Sequence, residues 1–90
     1  MDYLERYRKV LDQIDSDILY LISERMLHVK AIADYKKQHN LPVYYPKREK
    51  EVIKKRRARA AELGLDPKLA EEITKLLIRY ARASERKHIK

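Results

Sequence analysis

The sequence predicts an all-α fold: a three-helix protomer with one long N-terminal helix, paired with a second copy of itself. Three observations lead there. Apolar residues recur at heptad a and d spacing from Leu4 to Tyr35. The single glycine and the three prolines fall at the edges of helical stretches. No stretch shows the period-two alternation of a half-buried strand.

The first helix opens at Asp2, with Glu5 three residues later in capping-box spacing. Its pattern runs unbroken from Tyr3 to about His39. Asn40 suits the left-handed position that ends a helix, and Pro42 forbids continuation. Some 37 residues at 1.5 Å each span about 55 Å, whereas a compact chain of this length has a radius of gyration near 12 Å. Its own globule therefore cannot cover the seam of Leu4, Tyr7, Leu11, Ile14, Ile18, Leu21, His28, Ile32 and Tyr35. A second copy of the helix is the simplest cover.

The second helix starts near Pro46, a favoured first position, and ends at Leu63 with Gly64 beyond it and Leu65 as the following apolar contact. Asp66-Pro67 then caps and begins a third helix that runs to about Lys87. Leu69, Ile73, Leu76, Leu77 and Tyr80 form its expected core stripe, with Ala81 and Glu85 beside it in line with Ile78. Residues Arg86 to Lys90 are expected to fray.

Ninety residues make one small domain, 1–90, with a thin core of its own. With no cysteine, disulfides and thiolate metal sites are excluded. The start, MDYLERYRKV, is charged from Asp2 onward and is no secretory signal, and no apolar run is long enough to span a bilayer, so a cytoplasmic protein without a membrane partner is expected. A net charge of +8 favours acidic partners. No nucleic-acid motif accompanies it, and the tyrosines do not interleave with the basic residues as a stacking platform would require. His28, His39 and His88 lack metal-ligand spacing, so no metal is expected.

Several charges break the apolar pattern. Arg25 takes an a position of the seam, where a charge is costly unless paired. Lys36 lies eleven residues on, three helical turns, and points nearly the same way, so the two side chains can close on a small dianion. Arg8 precedes Arg25 by seventeen residues, about 25 Å along the axis, too far to share a small ligand within one helix. An antiparallel partner helix brings a second Arg8 to the Arg25 end. Long basic side chains also snorkel beside apolar seams, and in a chain with 22 Lys and Arg some fall there by chance. Glu49 aligns with Val52, Ile53 and Arg56 near the start of the second helix, where the dipole also favours a carboxylate.

Taken together, Arg8, Arg25, Lys36, Arg48 and Glu49 resemble the active-site series of the all-helical, type II chorismate mutases. The run Arg8-Lys9-Val10-Leu11-Asp12-Gln13-Ile14-Asp15 is similar to that family's opening helix. Glu24-Arg25, Lys36, Pro42-Val43, Arg48-Glu49 and Gly64-Leu65-Asp66 follow at its spacing. The resemblance implies an intertwined helical homodimer with two shared active sites, a dianionic substrate (chorismate), no cofactor, and rearrangement to prephenate on the shikimate route to Phe and Tyr. It gives Arg25 and Arg48 to the substrate carboxylates, with Arg8 reaching in from the other chain. Lys36 goes to a carboxylate and the ether oxygen, and Glu49 to the ring hydroxyl.

Three positions depart from the family pattern. Tyr45 stands where an Asp cap usually helps hold the hydroxyl, Ala81 where a Ser helps a carboxylate, and Glu85 where a Gln meets the ether oxygen. A carboxylate there repels the developing oxyanion, so Glu85 is expected to act in its neutral form. Arg25-Met26 with Val29-Lys30, and the Ala-rich run before Gly64, also resemble the isochorismate-pyruvate lyases, which share the fold and basic cage but eliminate pyruvate. Glu49 favours the mutase over the lyase. A non-enzymatic basic helical binding module is the alternative from another class.

Overall fold

The computed structural model describes residues 2–89. They form three helices, α1 (Tyr3–Gln38), α2 (Pro46–Glu62) and α3 (Pro67–Ile89), and no strand is present among them. Local chemistry sets each boundary. Asp2 Oδ1 accepts the Glu5 amide at 2.8 Å, satisfying one of the free donors at the start of α1. At its end Asn40 adopts φ 54°, and the Leu41 and Asn40 amides bond back to the carbonyls of Lys36 and Lys37 at 2.8 and 3.4 Å. The same motif closes α2: Gly64 has φ 73°, and the Leu65 and Gly64 amides reach the Ala60 and Ala61 carbonyls at 2.9 and 3.2 Å. Asp66 Oδ1 caps α3 by accepting the Lys68 amide at 2.9 Å. The helix runs to Ile89, and His88 near its end pairs with Asp34 of α1. Lys90 lies outside the described residues.

α3 is the hub. Both α1 and α2 pack on it, and α1 makes no direct packing contact with α2. The buried positions are mostly small: Val29 and Ala33 on α1, Ala60 on α2, and Thr74, Ala81 and Glu85 on α3. The expected α3 stripe is therefore corrected. Leu69, Ile73, Leu76 and Tyr80 are exposed in the single chain, and the helix turns its Thr74–Ala81–Glu85 lane inward. Small side chains let helix backbones approach closely, and the larger apolar ones are left flanking the crossings.

Among the described residues no large side chain is fully buried. Every residue from Asp2 to Leu21 is exposed, including the seam residues Leu4, Tyr7, Leu11, Ile14 and Ile18. The radius of gyration is 16.6 Å, against about 12 Å for a compact chain of this length. The accessible surface of 7683 Å² exceeds by roughly 2,000 Å² what a monomeric globule of this mass presents. Among the described residues no helix is long and apolar enough to cross a membrane.

Candidate functional site

The C-terminal half of α1, the start of α2 and the C-terminal half of α3 enclose a cavity of about 490 Å³, within the range of small-molecule sites. Six of the residues singled out in the sequence line it: Arg25, Lys36, Arg48, Glu49, Ala81 and Glu85. Arg8 does not. It stands on the exposed half of α1, about 25 Å along the helix from Arg25.

Lys36 sits at the centre. Its ammonium donates to Glu85 Oε1 at 2.6 Å and to the Val43 carbonyl at 3.2 Å, and it lies 5.0 Å from the centre of the Tyr45 ring. The turn at Asn40 makes this possible, since it doubles the chain back so that Val43 and Tyr45 lie over the last turn of α1. The Lys36 and Glu85 side chains are only 13% and 8% exposed. A pair this deep is sustained by its mutual charge and short hydrogen bond, and removing one partner strands the other. Tyr45 is the N-cap residue of α2 but offers no side-chain capping bond. Its ring instead meets the ammonium, so no cap carboxylate faces the cavity at that position.

Arg25 lines the same wall, and its Nη1 is buried with no hydrogen-bond partner. A buried guanidinium N–H left open is costly, and an anionic acceptor in the cavity satisfies it. Glu49, in the first turn of α2, faces Arg82 of α3, with Nε and Oε2 3.2 Å apart. Arg82 and Arg56 also line the cavity; the sequence places Arg56 on the Glu49 face without assigning it to the site, and gives Arg82 no role. In a chain this basic neither stands out by type. The available signal for Arg82 was its place in the Ile78–Arg82–Glu85 lane, where a second charge beside Glu85 interrupts an otherwise inward-facing row.

The cavity thus gathers five cationic side chains, Arg25, Lys36, Arg48, Arg56 and Arg82, against two carboxylates. The surplus of positive charge suits a small molecule with two acidic groups. Ala81, Val29, Ile32, Val52 and Ile78 supply an apolar lining. Among the described residues no group of three or more His, Asp or Glu is placed to hold a metal ion. His39 stacks on Tyr35 at 4.0 Å, outside the cavity, and His88 lies at the far end of α3.

Comparison with known proteins places the chain. The family model for chorismate mutase type II matches residues 7–86. A chorismate mutase of Methanocaldococcus jannaschii is 32% identical over 89 residues, covering 99% of this chain and 90% of that protein. The T-protein of Haemophilus influenzae is 31% identical over 85 residues, 94% of this chain but only 22% of that protein. A bifunctional chorismate mutase/prephenate dehydratase of Aquifex aeolicus is 42% identical over 55 residues, 61% of this chain and 15% of that protein. The chain therefore spans about a fifth or less of the longer relatives.

Proposed function

Because the chain belongs to the chorismate mutase type II family, we propose that it binds chorismate in this cavity and rearranges it to prephenate, on the route to Phe and Tyr. The observation that carries the reading is the charge of the cavity: five cations against two carboxylates on an apolar floor, with an orphaned donor on Arg25. Chorismate is a dicarboxylate with an ether oxygen and a ring hydroxyl.

The reaction breaks the ether C–O bond and forms a C–C bond within one molecule, so it needs neither a nucleophile nor a cofactor. What the site supplies is a folded, chair-like substrate held in reacting geometry and positive charge where the ether oxygen gains electron density. Arg25 and Arg48 hold carboxylates, Lys36 donates to a carboxylate and the ether oxygen, and Glu49 accepts from the ring hydroxyl. Ala81 leaves room beside the carboxylate. Glu85, in its neutral form, donates to the ether oxygen. In the free protein Glu85 is instead paired by charge with Lys36, so the substrate has to separate the two before Glu85 can donate.

The missing cation is Arg8, and the proposed source is the partner's Arg8 in a helical homodimer with two shared sites. The exposed seam of α1 and the excess surface of roughly 2,000 Å² support this, since obligate interfaces bury areas of that order per chain. Incubating the protein with chorismate and with isochorismate and identifying the products tests the reaction. Prephenate from chorismate is expected. Pyruvate release from isochorismate alone makes the chain a lyase, and turnover of neither makes it a binding module.

A further inference from the structure

Glu49 is the carboxylate that the mutase reading gives to the ring hydroxyl, and it already has a partner. Arg82 reaches it across from α3, Nε to Oε2 at 3.2 Å, with the two side chains 30% and 20% exposed. The Arg82 guanidinium lies over the Tyr44 ring at 4.7 Å, a cation–π contact that fixes its plane. Nε is buried, and despite the short separation it makes no aligned hydrogen bond. Charge, not a directed bond, holds the pair, so the carboxylate keeps its accepting capacity for a ligand.

A half-buried carboxylate without a partner attracts a cation far more strongly than a neutral donor. Once matched by a guanidinium it still accepts a hydrogen bond, but it presents little net field to a positive group. Of the other cations of the cavity Lys36 is matched by Glu85, which leaves Arg25, Arg48 and Arg56 to repel such a group. We propose that Arg82 is a specificity-determining residue: by neutralising Glu49 it selects substrates with a neutral hydroxyl on the ring and rejects those carrying an ammonium at the same carbon. The inference rests on the mutase reading of the cavity and adds to it the class of ring substituent the site accepts.

Chorismate and its analogue with an amino group in place of the ring hydroxyl are the two probes. The ratio of their kcat/KM values is compared in the wild type, Arg82→Met and Arg82→Lys. The wild type is expected to favour chorismate. In Arg82→Met the ratio shifts toward the amino analogue by about tenfold or more, the scale of one unit charge in a partly buried site. Arg82→Lys, which keeps the charge though not the planar stacking on Tyr44, holds the ratio within about threefold of the wild type. A general loss of structure lowers both rates and leaves the ratio alone, so a ratio in Arg82→Met within about twofold of the wild type overturns the role of Arg82. Should circular dichroism show Arg82→Met unfolded, Tyr44→Leu, which frees the guanidinium from its platform, is expected to shift the ratio the same way by a smaller factor, and an unchanged ratio there overturns the proposal. A wild type that makes no prephenate from chorismate overturns the mutase reading itself, a result distinct from an unmoved ratio in active proteins.

Discussion

Glu85 shows how much depends on one side chain. Its carboxylate accepts from Lys36 at 2.6 Å in the free protein. In the proposed reaction the ionised form harms catalysis twice, by holding Lys36 and by placing negative charge beside the ether oxygen. The wild type is therefore expected to lose rate from acid to neutral pH. Glu85→Gln offers a permanent neutral donor of nearly the same shape. It should flatten that fall and keep or raise activity near neutrality. Profiles of kcat/KM from acid to neutral pH for the two proteins check this, and superimposable profiles rule it out. Six residues of this cavity were legible in the sequence because charges at Arg25 and Lys36 interrupt a regular apolar seam, and because Arg48, Glu49, Ala81 and Glu85 follow at a family's spacing. Arg82 and Arg56 were not. Their type is commonplace in a chain with 22 Lys and Arg, so that even Arg56, in line with Glu49 and Val52, does not stand out until the crossing of α2 on α3 places both at the cavity.

At the scale of the helices, the boundaries were read closely, because prolines at 46 and 67, Asn40 and Gly64 each act through backbone geometry that needs no tertiary context. The inward face of α3 was misjudged. Ranking faces by hydrophobic size favoured Leu69, Ile73, Leu76 and Tyr80, but a helix gripped by two others turns its small residues to the crossings. One side-chain link at such a crossing yields a prediction about acid stability. Arg57 of α2 donates to Glu71 of α3 at 3.0 Å, and Lys75 adds a second contact at 2.9 Å. The hydrogen bond and charge of Lys75, joined by those of Arg57, hold the Glu71 carboxyl below the usual carboxylate range. A carboxyl lowered in the folded state stabilises it fully above the unfolded value of about 4.3, and the benefit is lost as pH falls through the lower folded value. Glu71→Gln should thus lower Tm at neutral pH, and the gap from wild type should close below about pH 4. Added salt should narrow the gap as well, because the group is near solvent. A Tm difference constant from neutral pH to pH 3 rules out the link.

For the molecule as a whole, the disproportion between a 36-residue helix and the remaining chain is legible in the sequence alone. The sequence implies that its own globule leaves the seam uncovered, and the structure gives the extent: every residue from Asp2 to Leu21 is exposed. The proposed dimer gives each site an Arg8 from one subunit and an Arg25 from the other. Sedimentation equilibrium at micromolar concentration is expected to show a dimer. Arg8→Ala and Arg25→Ala should each lose activity by about a hundredfold or more, the scale of one lost charge contact in a transition state. Mixing the two variants should restore activity, since a heterodimer contains one site with both arginines intact. Absence of recovery with heterodimers demonstrably formed counts against a shared site. The hub position of α3 bears also on the order of events at the ribosome. α1 and α2 are made first and have no surface to dock on in each other. Until the third helix emerges, the nascent chain can hold only solitary, marginally stable helices with their apolar faces bare. Tertiary structure is in this sense deferred to the last quarter of translation of these residues. A premature stop before Pro67 should release a chain prone to aggregation and degradation, not a smaller folded unit.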